Sequence, residues 1–560
     1  MIEVLKEKIK KAIKSTGYQS VGDFDLQPPP EEKFGDLSTN VAMLIASKSG
    51  GKPEEIAENI VENLKDENFA KIEIAGSGFI NIYLSQKYLA KGLAEILKVG
   101  ADFGKSNIGK NKKILLEFIS ANPTGPLHIG NARGGPIGET LANVLDWLGY
   151  KVSREFYIND VGSQIEKFGK TLAYWQIKKN DKNYHFPEGG YPGDFSKNIS
   201  EEIQHDFAGE IKELKDEELT EFFIRQGLEI VTRKMKEDIQ SLSIHFDQWV
   251  YESDFISSGK SQKIVLELKE KNKTKEEEGA VWFSSPDYSD FSDRESVLVR
   301  SDAEKTPTYF ASDIAYHKDK FDRGFARLID IWGANHHGHI ARMKAALAAL
   351  GYDPKKLSVI LYQNVRVKEG KEIKQMSKRL GNYITISDLL GKMKAPADVF
   401  KFMIISQSAN SIIDFDLDLA LEQSEKNPVY YLQYAYARIC SILRKGNKKL
   451  ITELEKIARG EASADLADLE ILQDKKELRL LKIISLLPEK LKSIAEDFQI
   501  QALPHFATEI ATAYHDFYTT CKVLSDNIKQ TRSRLLLVLA TRNALKICLT
   551  LMGISTPEKM

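Results

Sequence analysis

Apolar positions near the start of the chain recur at helical spacing. Leu5, Ile9 and Ile13 share one face and leave the lysines on the other, which predicts an amphipathic helix. Pro28, Pro29 and Pro30 then break the chain, since each fixes φ and removes a backbone donor. A second apolar helix is expected from about Leu37. A third follows Pro53, a residue suited to a first helical position, with Ile56, Ile60 and Leu64 as its stripe. In KIEIAGSGFINIYL the period changes to two, with Ile80, Ile82 and Leu84 on one strand face and Phe79, Asn81 and Tyr83 on the other. Residues 1–105 thus read as a small α+β domain, closed by the polar run FGKSNIGKNKK.

The pattern then turns to that of an open α/β domain. KILLEFI is a nearly continuous apolar run, as in a parallel strand covered on both faces. A Gly/Pro-rich turn follows, then a helix with the stripe Ile137, Leu141, Val144 and Leu148, and VSREFYI returns to the sheet. ARLIDIWGA and LSVILYQ supply later strands, joined by HIARMKAALAAL as a helix. From about 180 to 290 the chain is strongly polar, which predicts helices and loops inserted into the domain rather than more central sheet. Residues 106–425 form this unit. From 426 to 560 helix formers dominate, with no internal repeat, and an all-helical domain is expected.

Composition narrows the classes. The 560 residues carry 79 Lys plus Arg against 80 Asp plus Glu, a formal net charge of -1, so any nucleic-acid site must be a local patch. With 42% hydrophobic and 28% charged residues the chain is neither a membrane protein nor wholly disordered. The start, MIEVLKEKIKKAIK, lacks the apolar core of a signal peptide, and no stretch approaches a spanning helix. Cys440, Cys521 and Cys548 lie far apart, with neither metal-ligand spacing nor a disulfide framework. A reducing, cytoplasmic setting without membrane attachment is expected.

Two polar turns carry candidate chemistry. In ISANPTGPLHIGNARGG, Gly125, Gly130, Gly134 and Gly135 allow close backbone approach where a helix begins, and a helix N-terminus offers unpaired N–H groups to phosphate. His128 is placed to donate to a phosphoryl oxygen or simply to cap the helix, with Asn131 three residues on. The run is neither a dinucleotide fingerprint nor a phosphate loop. Some 250 residues later, KEIKQMSKRLGNYITISDLL gathers Lys374, Lys378 and Arg379 around Met376 and Ser377. That charge would suit a transferring phosphoryl group, or a solvated basic loop. Together the two turns suggest halves of one nucleotide site.

The pair resembles the two signatures of class I aminoacyl-tRNA synthetases, His-Ile-Gly-His and Lys-Met-Ser-Lys-Ser, with Asn131 in place of the second histidine and Gln375 in place of the first lysine. The surroundings resemble the arginyl-tRNA synthetase family. Glu117, the run Ser120-Ala121-Asn122-Pro123, FYINDVG, EGAVWF, TYFASDIAYH, WGANHHGH and FDLDLALEQSEKNPVYYLQYAYARI match it in order, and LMGISTPEKM matches its end. FGDLSTNVAM and IEIAGSGFINIYL resemble its amino-terminal tRNA-contacting domain, with Ser77 where proline is common; Tyr436 stands where the helical-domain motif often has histidine.

The resemblance implies a Rossmann-like class I catalytic core, an N-terminal α+β domain and an all-helical C-terminal anticodon-binding domain. It implies ligation of L-arginine to tRNA bearing an arginine anticodon through arginyl-adenylate, with ATP consumed, Mg²⁺ accompanying ATP, and no covalent enzyme intermediate. His128, Asn131 and Lys378 would be catalytic. Gly125, Gly130, Met376, Ser377 and Arg379 would complete the ATP site. Asp313 and Tyr309 would read the guanidinium, which a carboxylate pairs bidentately in a way no ammonium reproduces. Glu117 and Asn122 would hold the α-amino and backbone groups, with His337 nearby. Adenylate formation would wait for tRNA.

His336, His337 and His339 invite a zinc reading, but only His336 and His339 have usable spacing and no Cys pair is near, so no metal site is expected. For RNA, Tyr434, Tyr436 and Arg438 are candidates for anticodon bases, and Phe34 and Asn81 for the outer corner of tRNA. A monomer is expected. A nucleotidyltransferase without tRNA and a non-catalytic synthetase-like RNA-binding protein are the alternatives. The first leaves the helical third unused; the second should have lost His128, Lys378 or Asp313.

Overall fold

The structure, a computed structural model, describes every residue except 1, 19–21, 285–295, 302–305, 375–383 and 393–395. At the amino end, the stripe Leu5, Ile9, Ile13 is buried on the helix Ile2–Ser15, and Pro53 opens the helix Pro53–Glu62. A three-stranded antiparallel sheet in the order Leu37–Thr39, Phe79–Leu84, Phe69–Ala75 closes this core. Leu37 therefore begins a strand, paired with Ile82, and the apolar helix starts only at Val41. Between the hairpin strands Gly78 sits at φ +104, and a Cβ there would come within 2.8 Å of Pro53. Asn81, expected at the surface, is 4% exposed. It lies on the middle strand between Ser38 and Glu73, and its Oδ1 accepts from Ser38 Oγ at 2.7 Å.

Five parallel strands make the central sheet, in the spatial order Leu357–Tyr362, Arg327–Gly333, Lys113–Glu117, Lys151–Ile158, Gln248–Tyr251. The last of these corrects the expectation that 180–290 adds nothing to the central sheet: Gln248–Tyr251 is a short, half-exposed edge strand, too brief and polar to show a buried-strand pattern. The rest of the stretch is helical, chiefly Asp194–Asp206 and Asp216–Ser241, followed by an outlying three-stranded sheet that begins with the hairpin strands Thr274–Glu277 and Ala280–Phe283. The helix Gly134–Trp147 buries Ile137, Leu141 and Val144. It lies so close to the central strand that a Cβ on Gly138 would come within 2.3 Å of the Phe118 ring.

The last third is helical. Ile528–Leu551 runs through its middle with Leu535 to Ala540 fully buried, the pattern of a helix surrounded on all sides. Pro428–Lys445, Ala502–Thr520 and the earlier helix Gln86–Val99 pack against it. Tyr436 is 3% exposed within this core, so it is not placed to meet a base. Among the described residues no helix is long and apolar enough to cross a membrane.

The chain builds the sheet outward from Lys113–Glu117 and then returns to build its other half from Arg327–Gly333. These neighbours form the switch point at whose carboxyl ends open α/β sheets hold ligands. Here Glu117 and Asp330 are register partners, both buried. Lys320, at 0% exposure on the helix Tyr309–Asp322, donates to Glu117 Oε2 at 2.6 Å and to Asp330 Oδ1 at 3.0 Å. His317 Nε2 meets Asp330 Oδ2 at 2.8 Å. Lys320→Met should therefore strip two buried carboxylates of their shared cation and destabilise the α/β domain by about 3–5 kcal/mol at neutral pH. Urea unfolding checks this, and the deficit should shrink as the pH is lowered and the carboxyls take up protons.

Candidate active site

Immediately after the central strand the backbone turns sharply. Ile119 and Ser120 stand at φ +66 and +38, a left-handed conformation that costs a β-branched residue on the order of 1–3 kcal/mol. Ser120 Oγ accepts from Tyr157 N at 3.1 Å and ties the turn to the neighbouring strand. The chain then enters the helical turn Ile129–Ala132 through His128, whose Nδ1 accepts from Asn131 N at 3.2 Å. His128 does cap the helix, and this fixes its role: with Nδ1 accepting, the proton of the neutral ring sits on Nε2.

This turn is paired with the second one. Ile129 N donates to Ile384 O at 3.3 Å and Ile386 N to Leu127 O at 2.9 Å, so His128 and Thr385 lie side by side. Lys374 is fixed in a strand opposite Val367. The Ile384–Ile386 end of the second turn is thereby anchored beside the first, and its other end leaves from the strand Glu372–Lys374. Gln375, Met376, Ser377, Lys378 and Arg379 themselves lie outside the described residues.

Arg133 went unnoticed in the sequence. It is 0% exposed, and its guanidinium donates to the carbonyls of Gln363, Ser411, Ser408 and Ala409 at 2.6–3.1 Å. Burial pulls its pKa down to about 10. It locks the helix start to two neighbouring loops without any carboxylate.

A cavity of about 1240 Å³ opens over the carboxyl ends of the strands. His128, Gly130, Asn131, Tyr362 and Asn364 are among its lining residues. Asn122, Tyr157, Asp313, Tyr316, His317 and His339 line its inner end, beside Glu117. Asn122 donates to Gln164 Oε1 at 3.0 Å. Tyr309 is exposed outside the lining, where its hydroxyl accepts from Ser163 N at 3.1 Å. Gly125 is buried in the preceding loop and also lies outside the lining. Of the three histidines, His336 and His339 face the cavity. His337, the one chosen from sequence, is exposed elsewhere, because it opens a helix that turns its side chain outward.

The inner end is strongly acidic. His339 Nε2 stands 2.9 Å from Asp313 Oδ2, an ion-pair distance with the ring N–H aimed off the carboxylate. Burial alone would raise Asp313, but His339 and the cations beyond it hold its carboxyl below the usual range. Glu252, 2% exposed, behaves oppositely: burial, then Asp313 and Asp160, push it up to about 8. The hydroxyl of Tyr157, buried within reach of these charges, has no hydrogen-bond partner. Glu252 was hidden by its polar surroundings. The usable signal was its place directly after the strand Gln248–Tyr251, at a carboxyl end. Glu117, His317 and Asp330 have the spacing of metal ligands, but the ammonium of Lys320 already bonds two of them.

A second cavity of about 960 Å³ lies in the helical third, lined by Tyr434, Arg438, Arg444, Lys445, Tyr518 and Lys522 among others. The Arg438 guanidinium sits 4.9 Å from the Tyr434 ring and 4.8 Å from that of Tyr518, and donates to Tyr434 Oη at 2.8 Å. Phe34 is exposed on the amino-terminal domain with Lys33 4.8 Å over its ring.

Comparison with known proteins gives three successive family matches: "Arginyl tRNA synthetase N terminal domain" over residues 3–84, "tRNA synthetases class I (R), catalytic domain" over 92–409, and "DALR anticodon binding domain" over 432–560. The arginine–tRNA ligase of Caldanaerobacter subterraneus subsp. tengcongensis is 40% identical over 567 aligned positions, covering 100% of this chain and 98% of that one. The Bacillus subtilis arginine–tRNA ligase is 39% identical, covering 100% and 99%. Among solved structures, a putative arginyl-tRNA synthetase from Campylobacter jejuni superposes with a TM-score of 0.73 at 31% identity over 85% of this chain and 100% of that one. Thermus thermophilus arginyl-tRNA synthetase gives a TM-score of 0.77 at 22% identity over the whole of both chains, a likeness of fold.

The raised pKa of Glu252 has a signed consequence. A carboxyl near 8 in the folded chain and 4.5 unfolded keeps its proton only when folded, so its stabilising contribution is present below about pH 4.5 and is lost as pH rises through 8. Glu252→Gln should remove this part of the slope, a relative gain on the order of 3–5 kcal/mol between those limits. Thermal unfolding of both proteins across the window measures it.

Proposed function

This chain belongs to the arginyl-tRNA synthetase family of class I and ligates arginine to tRNA through arginyl-adenylate, consuming ATP; we propose the following division of labour within its cavity. ATP lies along the His128–Asn131 side, its phosphates over the helix start, with Mg²⁺ entering as the counter-ion of ATP. His128 donates through Nε2 to a phosphoryl oxygen. Asn131 adds a neutral hydrogen bond where the signature has imidazole. Lys378, with Met376, Ser377 and Arg379, closes on the phosphates from the second turn, whose far end at Thr385 is paired with His128.

The observation that carries the arginine assignment is the acidity of the inner end. Asp313 faces the cavity, and burial, with the charges of Asp313 and Asp160, raises the carboxyl of Glu252, which like Asp160 stands outside the lining. A guanidinium entering there would meet Asp313 as a fork and let Glu252 ionise, while the unpartnered Tyr157 hydroxyl supplies an acceptor. Glu117, one oxygen engaged by Lys320, offers the other to the substrate ammonium, and Asn122 holds the neighbouring backbone group. The arginine carboxylate then attacks the α-phosphate and expels pyrophosphate, and a ribose hydroxyl of the terminal tRNA adenosine attacks the resulting adenylate carbonyl and expels AMP. Tyr309 acts from the rim.

Arg438 between Tyr434 and Tyr518 forms an aromatic–cationic floor for unstacked anticodon bases. Phe34 offers a second contact on the amino-terminal domain, which we take to occupy 1–105, ahead of catalytic residues 106–425 and an anticodon domain at 426–560. With catalytic cavity and both RNA surfaces on one chain, a monomer suffices. Three buried free cysteines suit a reducing cytoplasm.

Arginine-dependent pyrophosphate exchange and aminoacylation, with lysine as competitor, test the reading. Asp313→Ala should lower kcat/KM for arginine by about 30- to 5000-fold while leaving ATP affinity nearly unchanged. Normal arginine kinetics in that variant would reject the pocket. His128→Ala should slow adenylate formation by on the order of 3–4 kcal/mol of barrier, with tRNA affinity retained. Single-turnover adenylate formation and filter binding separate the two effects.

A further inference from the structure

The two polar turns share a support that stands outside the cavity lining, the carboxyl end of the long insertion helix Asp216–Ser241. Ile244, just beyond this helix and buried, lies against the first turn: a Cβ on Gly135 would come within 2.7 Å of its Cδ1. Asp238, in the last turn of the helix, meets the second. The hydroxyl of Ser387 donates to Asp238 Oδ1 at 2.5 Å, across 149 positions of sequence. Ser387 belongs to the short helix Ile386–Leu390, which begins where the second turn ends. Thr385 caps that helix, its Oγ1 accepting from Asp388 N at 2.9 Å, and Ile386 and Leu389 are fully buried on it. The chain beside His128 is thus held from two directions, by the carbonyl of Leu127 and by the carboxylate of Asp238.

A carboxylate at this position does nothing for its own helix. It sits at the negative end of the helix dipole, where a cation would be favoured. Burial pushes its carboxyl above the usual range, the Ser387 hydrogen bond opposes this, and the charges of Glu237 and Asp388 add to the rise, with only Lys234 against them. Such a group is explained by what it holds, since a buried polar side chain is costly unless its partner is in place. We propose that Asp238 is a positioning residue for adenylate formation: through Ser387 it fixes the direction in which the second turn leaves the helix Ile386–Leu390, and with it the approach of Lys378 to the phosphates. Lys378 precedes Thr385 by seven positions, and a misplacement of about 1 Å in a group that meets the reacting atoms costs on the order of 100-fold. Because the same helix end abuts Gly135, both turns close against one frame, which the polar insertion supplies. The inference rests on the phosphate role given to the second turn and adds what holds that turn in place.

The test compares Ser387→Ala, Asp238→Leu, Asp238→Asn and the double variant Asp238→Leu/Ser387→Ala in the full-length chain, by single-turnover adenylate formation with arginine tRNA present. Ser387 is exposed, so its truncation keeps the fold, and it decides the matter should Asp238→Leu unfold. Ser387→Ala should slow the step by on the order of ten-fold while KM for ATP and for arginine stays unchanged. Asp238→Leu should do the same, and the double variant should be no slower than the slower single one, because both changes cut one bond. Asp238→Asn, whose amide oxygen still accepts from Ser387, should restore the rate. A normal rate in Ser387→Ala, a loss that Asp238→Asn does not recover, a raised KM in place of a slower step, or losses that simply add would overturn the proposal. Lys378→Ala separates the two layers. A normal rate in that variant would reject the phosphate role of the second turn, whereas a slow Lys378→Ala beside a normal Ser387→Ala would reject only the part given to Asp238.

Discussion

Two carboxylates placed side by side on adjacent buried strands set the central constraint on this molecule. Glu117 and Asp330 are register partners across the switch point, where repulsion between unshielded charges would be severe. The helix Tyr309–Asp322 resolves it by sending down Lys320 between them and His317 onto the far oxygen of Asp330. His317 Nδ1 also faces a carbonyl, that of Asp313, at 2.8 Å. The ring is thus held between a carbonyl and a carboxylate, while the Lys320 ammonium stands between the two anions. The helix cannot rotate or slide without breaking this match. Asp313, one turn from His317 on the same helix, is therefore held at the inner end of the cavity by a charge network lying beneath it.

The opposite wall obeys a similar logic with different chemistry. Arg133 carries its charge into the interior, where its guanidinium donates to four backbone carbonyls. Their dipoles converge from the strand end at Gln363 and from the turn at 408–411. The His128 side of the cavity is braced by this guanidinium, and its inner end by the Lys320 ammonium. One site thus depends on two buried cations, each of which would be costly to leave unpaired.

This explains what could and could not be read from the chain beforehand. Apolar runs such as KILLEFI and the stripe from Ile137 to Leu148 announce a strand and helix because burial is local and periodic. His128 and Asp313 could be singled out by their motifs. Lys320, Arg133 and Glu252 could not, because a buried charge looks in sequence like any solvated one; only their partners, up to about 280 residues away, reveal them. The same blindness ran the other way for Asn81 and Tyr436. Both sit in polar or aromatic strings that suit RNA, and both are covered by neighbours from other elements. His337 failed by one step of helical rotation. The insertion concealed an edge strand behind its overall polarity.

The geometry around Arg133 bears on how the ends of the molecule communicate with the middle. His505, on the helix Ala502–Thr520, meets Ser406 O at 3.0 Å. Two residues further on begin the carbonyls that hold Arg133, and Arg133 lies directly after the capped turn of His128 to Ala132. Two hydrogen-bonded contacts, linked by the short chain from Ser406 to Ser408, thus join the helical domain to the His128 side of the cavity. Arg133 can satisfy its donors only while the 408–411 turn stays in place, and a buried guanidinium that loses carbonyl partners has no water to replace them. A displacement of the helical domain that moved this turn would be resisted by the helix start, or would carry it along. Rigid coupling of this kind requires no second shape of the catalytic sheet. It requires only that RNA bound on the helices favour one position of the turn over another.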